Sequence, residues 1–197
     1  MSTLSAALPL TASPWPLPSR GRVGMFCLII AEAAIFTIFV VAYLFYLGKS
    51  LSGPMPDVLE VPVFSTICLL SSSLTIHFAE SALERGRLAS FKVLWFVTFA
   101  LGAIFLIGTG LEWHHLIYEA DLTISTNLFG TTYYSLVGLH ASHVVVGMIG
   151  LGLVLVLSLA AKVGQEHSGR IRVFGLYWHF VDAVWVVVFS VVYIIGR

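Results

Sequence analysis

Charge is what this sequence has least of. Of its 197 residues only 10% are Asp, Glu, Lys or Arg, and the formal net charge is zero. A soluble domain carries about a quarter charged residues. The scarcity argues against a soluble enzyme, and the balance leaves no electrostatic footprint for a nucleic acid partner. Cysteine is nearly missing as well. Cys27 and Cys68 both lie in apolar runs, and neither belongs to a Cys-x-x-Cys pair. That argues against a thiolate metal site or a redox pair, and both are read as small buried apolar residues. Lys and Arg are absent from Met1 to Ser19, which instead holds Pro9, Pro14, Pro16 and Pro18. A secretory signal opens with positive charge. Residues 1–21 are therefore read as a Pro-rich arm lying on a membrane surface or a partner, and residues 22–197 as the transmembrane domain.

What is abundant is apolar sequence, 58% of the chain, with a mean hydropathy of +0.97. A membrane-spanning helix needs about 20 predominantly apolar residues. Five segments qualify, at about 23–48, 62–83, 91–116, 127–161 and 172–196. Pro62 suits the first turn of the second segment. The expected fold is all-α, a bundle of five transmembrane helices. The fourth segment contains no Asp, Glu, Lys or Arg. At 1.5 Å per residue it would reach about 50 Å, beyond a ~30 Å hydrocarbon core. It must tilt, protrude or bend, and Gly138, Gly147, Gly150 and Gly152 offer places to bend.

Loop charge sets the expected orientation. Arg20, Arg22, Arg85, Arg87, Lys92, Lys162, Arg170 and Arg172 fall on one side of such a bundle, and only Lys49 and Arg197 on the other. The positive-inside rule puts the N-terminus in the cytoplasm and the C-terminus outside. "LLSSSLT" places Ser71 and Thr75 four residues apart, and "GLHASH" does the same for Gly138 and Ser142. Small residues at this spacing let helices approach closely in lipid. Helices two and four are therefore expected to be central.

Ionisable residues inside hydrocarbon mark either function or helix-to-helix bonding. Glu32 stands alone in "CLIIAEAAIFTIF". It reads equally as a site of proton traffic or lipid association, or as a neutral carboxylic acid hydrogen-bonded inside the bundle. His77 and Glu80 lie near one end of helix two. Glu112, His114, His115 and Glu119 lie at the outer end of helix three, read as a solvated helix end or subunit contact. Trp113 adds aromatic bulk there. His140 and His143 share a face of helix four, and His179 and Asp182 a face of helix five. His140, His143 and His179 could form a metal or haem site, since their depths from opposite membrane faces bring them near one level. No Cys or second carboxylate completes a familiar ligand set. The preferred reading is a packing network of His140, His143, His179, Asp182, Ser71 and Thr75, without metal. Trp178 is expected at the cytoplasmic interface and Trp185 in the packed interior.

Taken in order, the motifs form a pattern. "GMFCLIIAEAAIFTIF", "EVPVFSTICLLSSSLT", "FGTTYYSLVGLHASHVVVG" and "YWHFVDAVW" run from about Gly21 to Gly196. In that order they resemble subunit III of the haem–copper terminal oxidases, the cytochrome c oxidase family, in its short five-helix bacterial type. The last motif is the most specific. The longest members have two further helices at the start, which form a lipid-holding cleft with the other five. Thr109 stands where the family commonly has Gln, and Glu80 and Ser81 where it commonly has a His-His pair.

The resemblance implies an accessory subunit with no catalytic site, haem or copper of its own. Those groups would sit in partner subunits, and this chain would hold at most phospholipid. It would pack on oxidase subunit I, touch other oxidase subunits and membrane lipid, and lie in the bacterial plasma membrane. It would support assembly, stability and proton uptake, with Glu32 matching the glutamate associated with that role. Close rivals are subunit III of a quinol oxidase and a homologue attached to nitric oxide reductase. A free-standing channel would need a polar stripe across the bilayer. A haem-binding anchor would need facing histidines.

Overall fold

The computed structural model describes residues 19–50, 53–54 and 56–196; the Pro-rich arm lies outside them except for its last residues. Five helices follow one another: α1 (Arg20–Tyr46), α2 (Val63–Glu84), α3 (Leu88–Tyr118), α4 (Leu128–Leu159) and α5 (Ser168–Phe189). The last continues as a π-helical segment, Ser190–Ile195. Short 3-10 turns at Pro56–Val58 and Gln165–His167 precede α2 and α5. All five helices are long and apolar enough to cross a membrane. Their order in sequence makes them alternate in direction.

The connections cluster at two ends. At one, Asn127 caps α4 by accepting from the Gly130 amide at 2.7 Å, and its side-chain amide donates to the Pro54 carbonyl at 2.8 Å. The Phe129 amide donates to Ser50 Oγ at 2.9 Å. The α1–α2 and α3–α4 connections are thereby tied together. At the other end, Gln165 donates to the Glu84 carbonyl at 2.6 Å, and Arg172 pairs with Glu84. These bonds join the α2–α3 turn to the start of α5. That turn carries Gly86 at φ +69°, with Arg87 N bonded to Ala82 O at 2.8 Å and Gly86 N to Leu83 O at 3.0 Å. A left-handed residue with this bond pair closes a helix tightly, and glycine has no Cβ to oppose it.

The centre of the bundle differs from expectation. α5 packs on α1, α2 and α4, and is the most buried of the spanning helices. α2 pairs most extensively with α3. α4 runs unbroken for 32 residues, about 48 Å at the usual rise. Its glycines serve packing. A Cβ built on Gly147 would sit 2.6 Å from the Trp178 ring, and one on Gly150 would collide with Phe174. Gly138 instead faces Trp113 of α3, and Ser142 turns its hydroxyl back to Leu139 O at 2.6 Å. The close α4–α5 approach therefore lies lower on α4 than the Gly138–Ser142 pair suggests.

Trp178 is fully buried between Gly102 of α3, Gly147 of α4 and Ser72 of α2. The large indole fills the space that three small residues leave, and its N–H is taken up by Ser72. Trp185 is buried as expected. Cys68 is buried, whereas Cys27 lies exposed on α1. α1 is the least embedded helix, burying only Phe36 and Tyr43.

Trp178 has no room to yield, so Gly147→Ala is expected to destabilise the bundle by about 1–3 kcal/mol through overpacking. Gly110 has nothing within 4 Å of a built Cβ. Gly110→Ala should leave stability unchanged or raised. Thermal unfolding of the detergent-solubilised protein checks the pair, and equal melting points for both variants would refute the packing argument.

Candidate functional site

Two polar systems cross the interior. The first fastens α5 to α2. Ser73 meets His179 Nδ1 at 3.0 Å and donates to Asp182 Oδ2. A hydroxyl has one proton. With that proton on Asp182, its oxygen accepts from the Nδ1–H of His179. Above and below, Trp178 Nε1 donates to Ser72 Oγ at 2.8 Å and Trp185 Nε1 to Thr66 Oγ1 at 3.2 Å. Thr75 binds Thr98 of α3 at 2.8 Å, and Trp95 of α3 donates to the Leu151 carbonyl of α4 at 2.9 Å. These bonds fix neighbours that lipid would not hold in register.

The second system joins α1 to α4. His143 Nε2 lies 3.1 Å from Glu32 Oε2, both side chains partly accessible. The other ring nitrogen, Nδ1, lies 2.8 Å from the Leu139 carbonyl. A carbonyl can only accept, so Nδ1 keeps its proton and the tautomer is fixed. Nε2 and the carboxyl then share one further proton. It resides on Glu32, giving a neutral pair, or on His143, giving an ion pair. The Tyr177 hydroxyl donates to the His143 carbonyl at 3.1 Å, linking α5 to the same residue. A cleft of about 220 Å³ opens here, lined by Leu28, Glu32, Ser142, His143, Val146 and Tyr177.

The six residues assigned to one packing network are thus distributed. His179 and Asp182 come together on α2, and His143 joins Glu32. Thr75 bonds α3. Ser71 makes no hydrogen bond among the described residues; Ser72 and Ser73 take the place expected for it. His140 is fully buried but stacks on Trp185 at 4.9 Å between centroids, with Phe36 and Phe105 at its edges. Neither of its ring nitrogens meets a hydrogen-bonding partner among the described residues. His140 and His179 are therefore engaged by different neighbours. Among the described residues, no three His, Cys, Asp or Glu side chains gather in a metal-holding group.

The C-terminal end of α3 also departs from expectation. Glu112 is turned inward and accepts from Tyr193 at 2.7 Å and from Tyr133 at 3.2 Å. The π-helical segment carries Tyr193 onto it. His115 and Glu119 form an accessible pair at 3.0 Å, and the exposed His114 packs on Tyr118 at 4.6 Å between centroids. Ser73, Tyr177, Tyr133 and Tyr193 were not singled out by sequence. The run "LLSSSLT" was the available signal for Ser73, but three adjacent serines point three ways, and only the facing helix selects among them.

Comparison with known proteins identifies the family. The family model of cytochrome c oxidase subunit III matches residues 18–197. A protein of Alkalihalophilus pseudofirmus named cytochrome c oxidase subunit 3 is 33% identical, over 84% of this chain and 82% of its own length. One of Synechocystis with the same name is 35% identical, over 90% of this chain and 77% of its own length. One of Thermostichus vulcanus, again so named, is 32% identical over 91% and 90%. The chain is a multi-pass membrane protein and belongs to the cytochrome c oxidase subunit III family.

Proposed function

We propose that this chain is an accessory subunit of a respiratory haem–copper oxidase that takes electrons from cytochrome c, and that it supports assembly, stability and proton uptake of the catalytic subunit. Family membership supports the complex, and the names of the relatives favour cytochrome c over quinol as donor. On this reading haem and copper belong to partner subunits, and phospholipid is the small molecule this chain holds. The bacterial plasma membrane is its place, and oxidase subunit I its main contact.

The Glu32–His143 pair carries the proton part of the reading. It is the one carboxyl–imidazole contact between two spanning helices among the described residues, and it borders a cleft. Its two protonation forms differ by one proton transfer along a single 3.1 Å contact. An intramembrane pair that can hold a proton in either of two places is suited to pass one onward. The neighbouring Tyr177 is directed at a backbone carbonyl, so its own proton is already used.

Orientation rests on charge and connection. Arg85, Arg87, Arg170 and Arg172 lie at the bundle end where the Arg172–Glu84 pair joins two turns. We place that end, with the start of α1, in the cytoplasm.

Purification through a tag on this chain should bring with it a haem-bearing subunit and a subunit with a binuclear copper domain. Recovery of the chain without a haem–copper subunit overturns the proposal; recovery without the binuclear copper subunit points to a quinol oxidase. Alkaline phosphatase fused after Arg197 should be active in intact cells, and the same enzyme fused after Gly164 inactive. The reverse pattern inverts the orientation. Glu32→Ala should leave haem content intact, accelerate loss of activity during turnover, and cost about 1–3 kcal/mol of stability by leaving His143 without its partner. Glu32→Gln keeps a hydrogen bond to His143 but cannot exchange its proton. It should preserve thermal stability yet slow proton uptake at steady state. Wild-type uptake and turnover stability in Glu32→Gln would leave the pair a purely structural contact.

A further inference from the structure

A second open groove, more voluminous than the cleft beside Glu32, lies against the α2–α3 turn among the described residues and measures about 810 Å³. Arg85 and Arg87 line it, together with Ser81 of α2 and Ser90 of α3. Both arginines are exposed, and neither makes an ion pair or hydrogen bond with another side chain among the described residues. The nearby Glu84 is already taken by Arg172. No acidic side chain lines the cavity among the described residues. Two guanidinium groups with no carboxylate between them leave a local positive charge that an anion would answer.

The turn that presents them is rigid. Gly86 in the left-handed region sits between the two arginines, and three backbone bonds close the end of α2 around it. Gln165 braces the turn from the start of α5. The 31-residue α3 begins immediately after Arg87, with no side-chain cap and no acidic residue in its first turn. Its positive end therefore adds to the arginines, in the manner of a helix N-terminus that receives a phosphate. Ser81 and Ser90 add two hydroxyl donors.

One wall of the cavity is of a different kind. Phe78 and Val93 line it and are 57% and 63% exposed, on the membrane-spanning parts of α2 and α3. A basic, donor-rich end continues into an apolar groove, the same succession of chemistries that a headgroup and its acyl chains present. A free phosphate would use only the first part; an anionic phospholipid uses both. We infer that the α2–α3 turn is a binding site for the phosphodiester headgroup of an anionic phospholipid, held by Arg85 and Arg87 with its chains along Phe78 and Val93. The site rests on and deepens the phospholipid part of the proposed function, and it lies on different helices from the Glu32 cleft, so its failure would leave the oxidase reading standing.

The test uses the tagged chain with whatever assembles around it. Dioleoylphosphatidylglycerol is added in mixed micelles, and native mass spectrometry counts the lipid retained. Each charge-assisted bond lost is worth about tenfold in affinity. R85Q/R87Q should therefore retain one lipid fewer and need at least about tenfold more to restore it. R170Q removes a basic residue that does not line the cavity, and should retain the wild-type number. Equal retention in R85Q/R87Q overturns the site. Displacement of the lipid by millimolar inorganic phosphate would reassign it to a soluble phosphate and overturn the lipid assignment. Should R85Q/R87Q fail to accumulate, a diazirine-bearing phosphatidylglycerol is applied to the wild type. Crosslinks within residues 77–94 support the site, and crosslinks only elsewhere overturn it.

Discussion

Hydrocarbon offers no partner to a polar side chain, so every such group must find one inside the protein or remain costly. That constraint organises α5 more than any other helix. Its row of Trp178, His179, Asp182 and Trp185 meets Ser72, Ser73 and Thr66 of α2. Each bond of this type contributes only about 1 kcal/mol in a membrane protein. Their combined effect lies in register. Sliding α2 along α5 by one residue would strand two indole N–H groups and a carboxyl at once. The same helix then offers its other side to Gly147 and Gly150, where the absence of side chains permits close contact.

The two polar systems differ in what surrounds them. Asp182 is 3% exposed, and its partner Ser73 is only part-buried. The side chains of Glu32 and His143 are 23% and 14% exposed and border a cleft. The second system is the more open of the two, which is what favours it in the proposed proton role. His140 illustrates the opposite extreme. It is packed like an aromatic residue, against Trp185 and Phe105. Its position one helical turn from His143 had made the two look equivalent.

Much of the fold was legible because hydropathy reports burial in lipid directly. The five spans match the helices to within a few residues at most ends. The largest shift is at α5, which starts at Ser168, not Arg172. Polar residues end the apolar run there, but the 3-10 turn at Gln165–His167 starts the helix earlier. The site was less legible. Glu32 stood out by its isolation, yet its partner lies 111 positions away on another helix. No local spacing encodes which faces of α1 and α4 meet. Glu112 misled for the same reason: its place near a helix end suggested water, while Tyr133 and Tyr193 arrive from α4 and from the end of α5. Trp178 fills the space left by glycines on two other helices, a fit that its own local sequence does not encode.

These contacts also show why α1 is the helix least tied to the rest of the bundle. α1 buries only two of its side chains, and residues such as Ile30, Ile38 and Phe45 face outward. Among the described residues its one polar side-chain tie to another helix is Glu32 on His143, with Phe36 packed against the same ring at 5.0 Å. His143 in turn receives Tyr177 from α5 through its carbonyl. A proton moving within the pair therefore changes charge at the joint between the outermost helix and the two that hold it. The α2–α5 row, which sets the register of the core, has no bond to that joint and need not move with it. The α2–α5 row and the Glu32–His143 pair thus sit on separate frames, joined through α4, Tyr177 and the packing of α1 on α5.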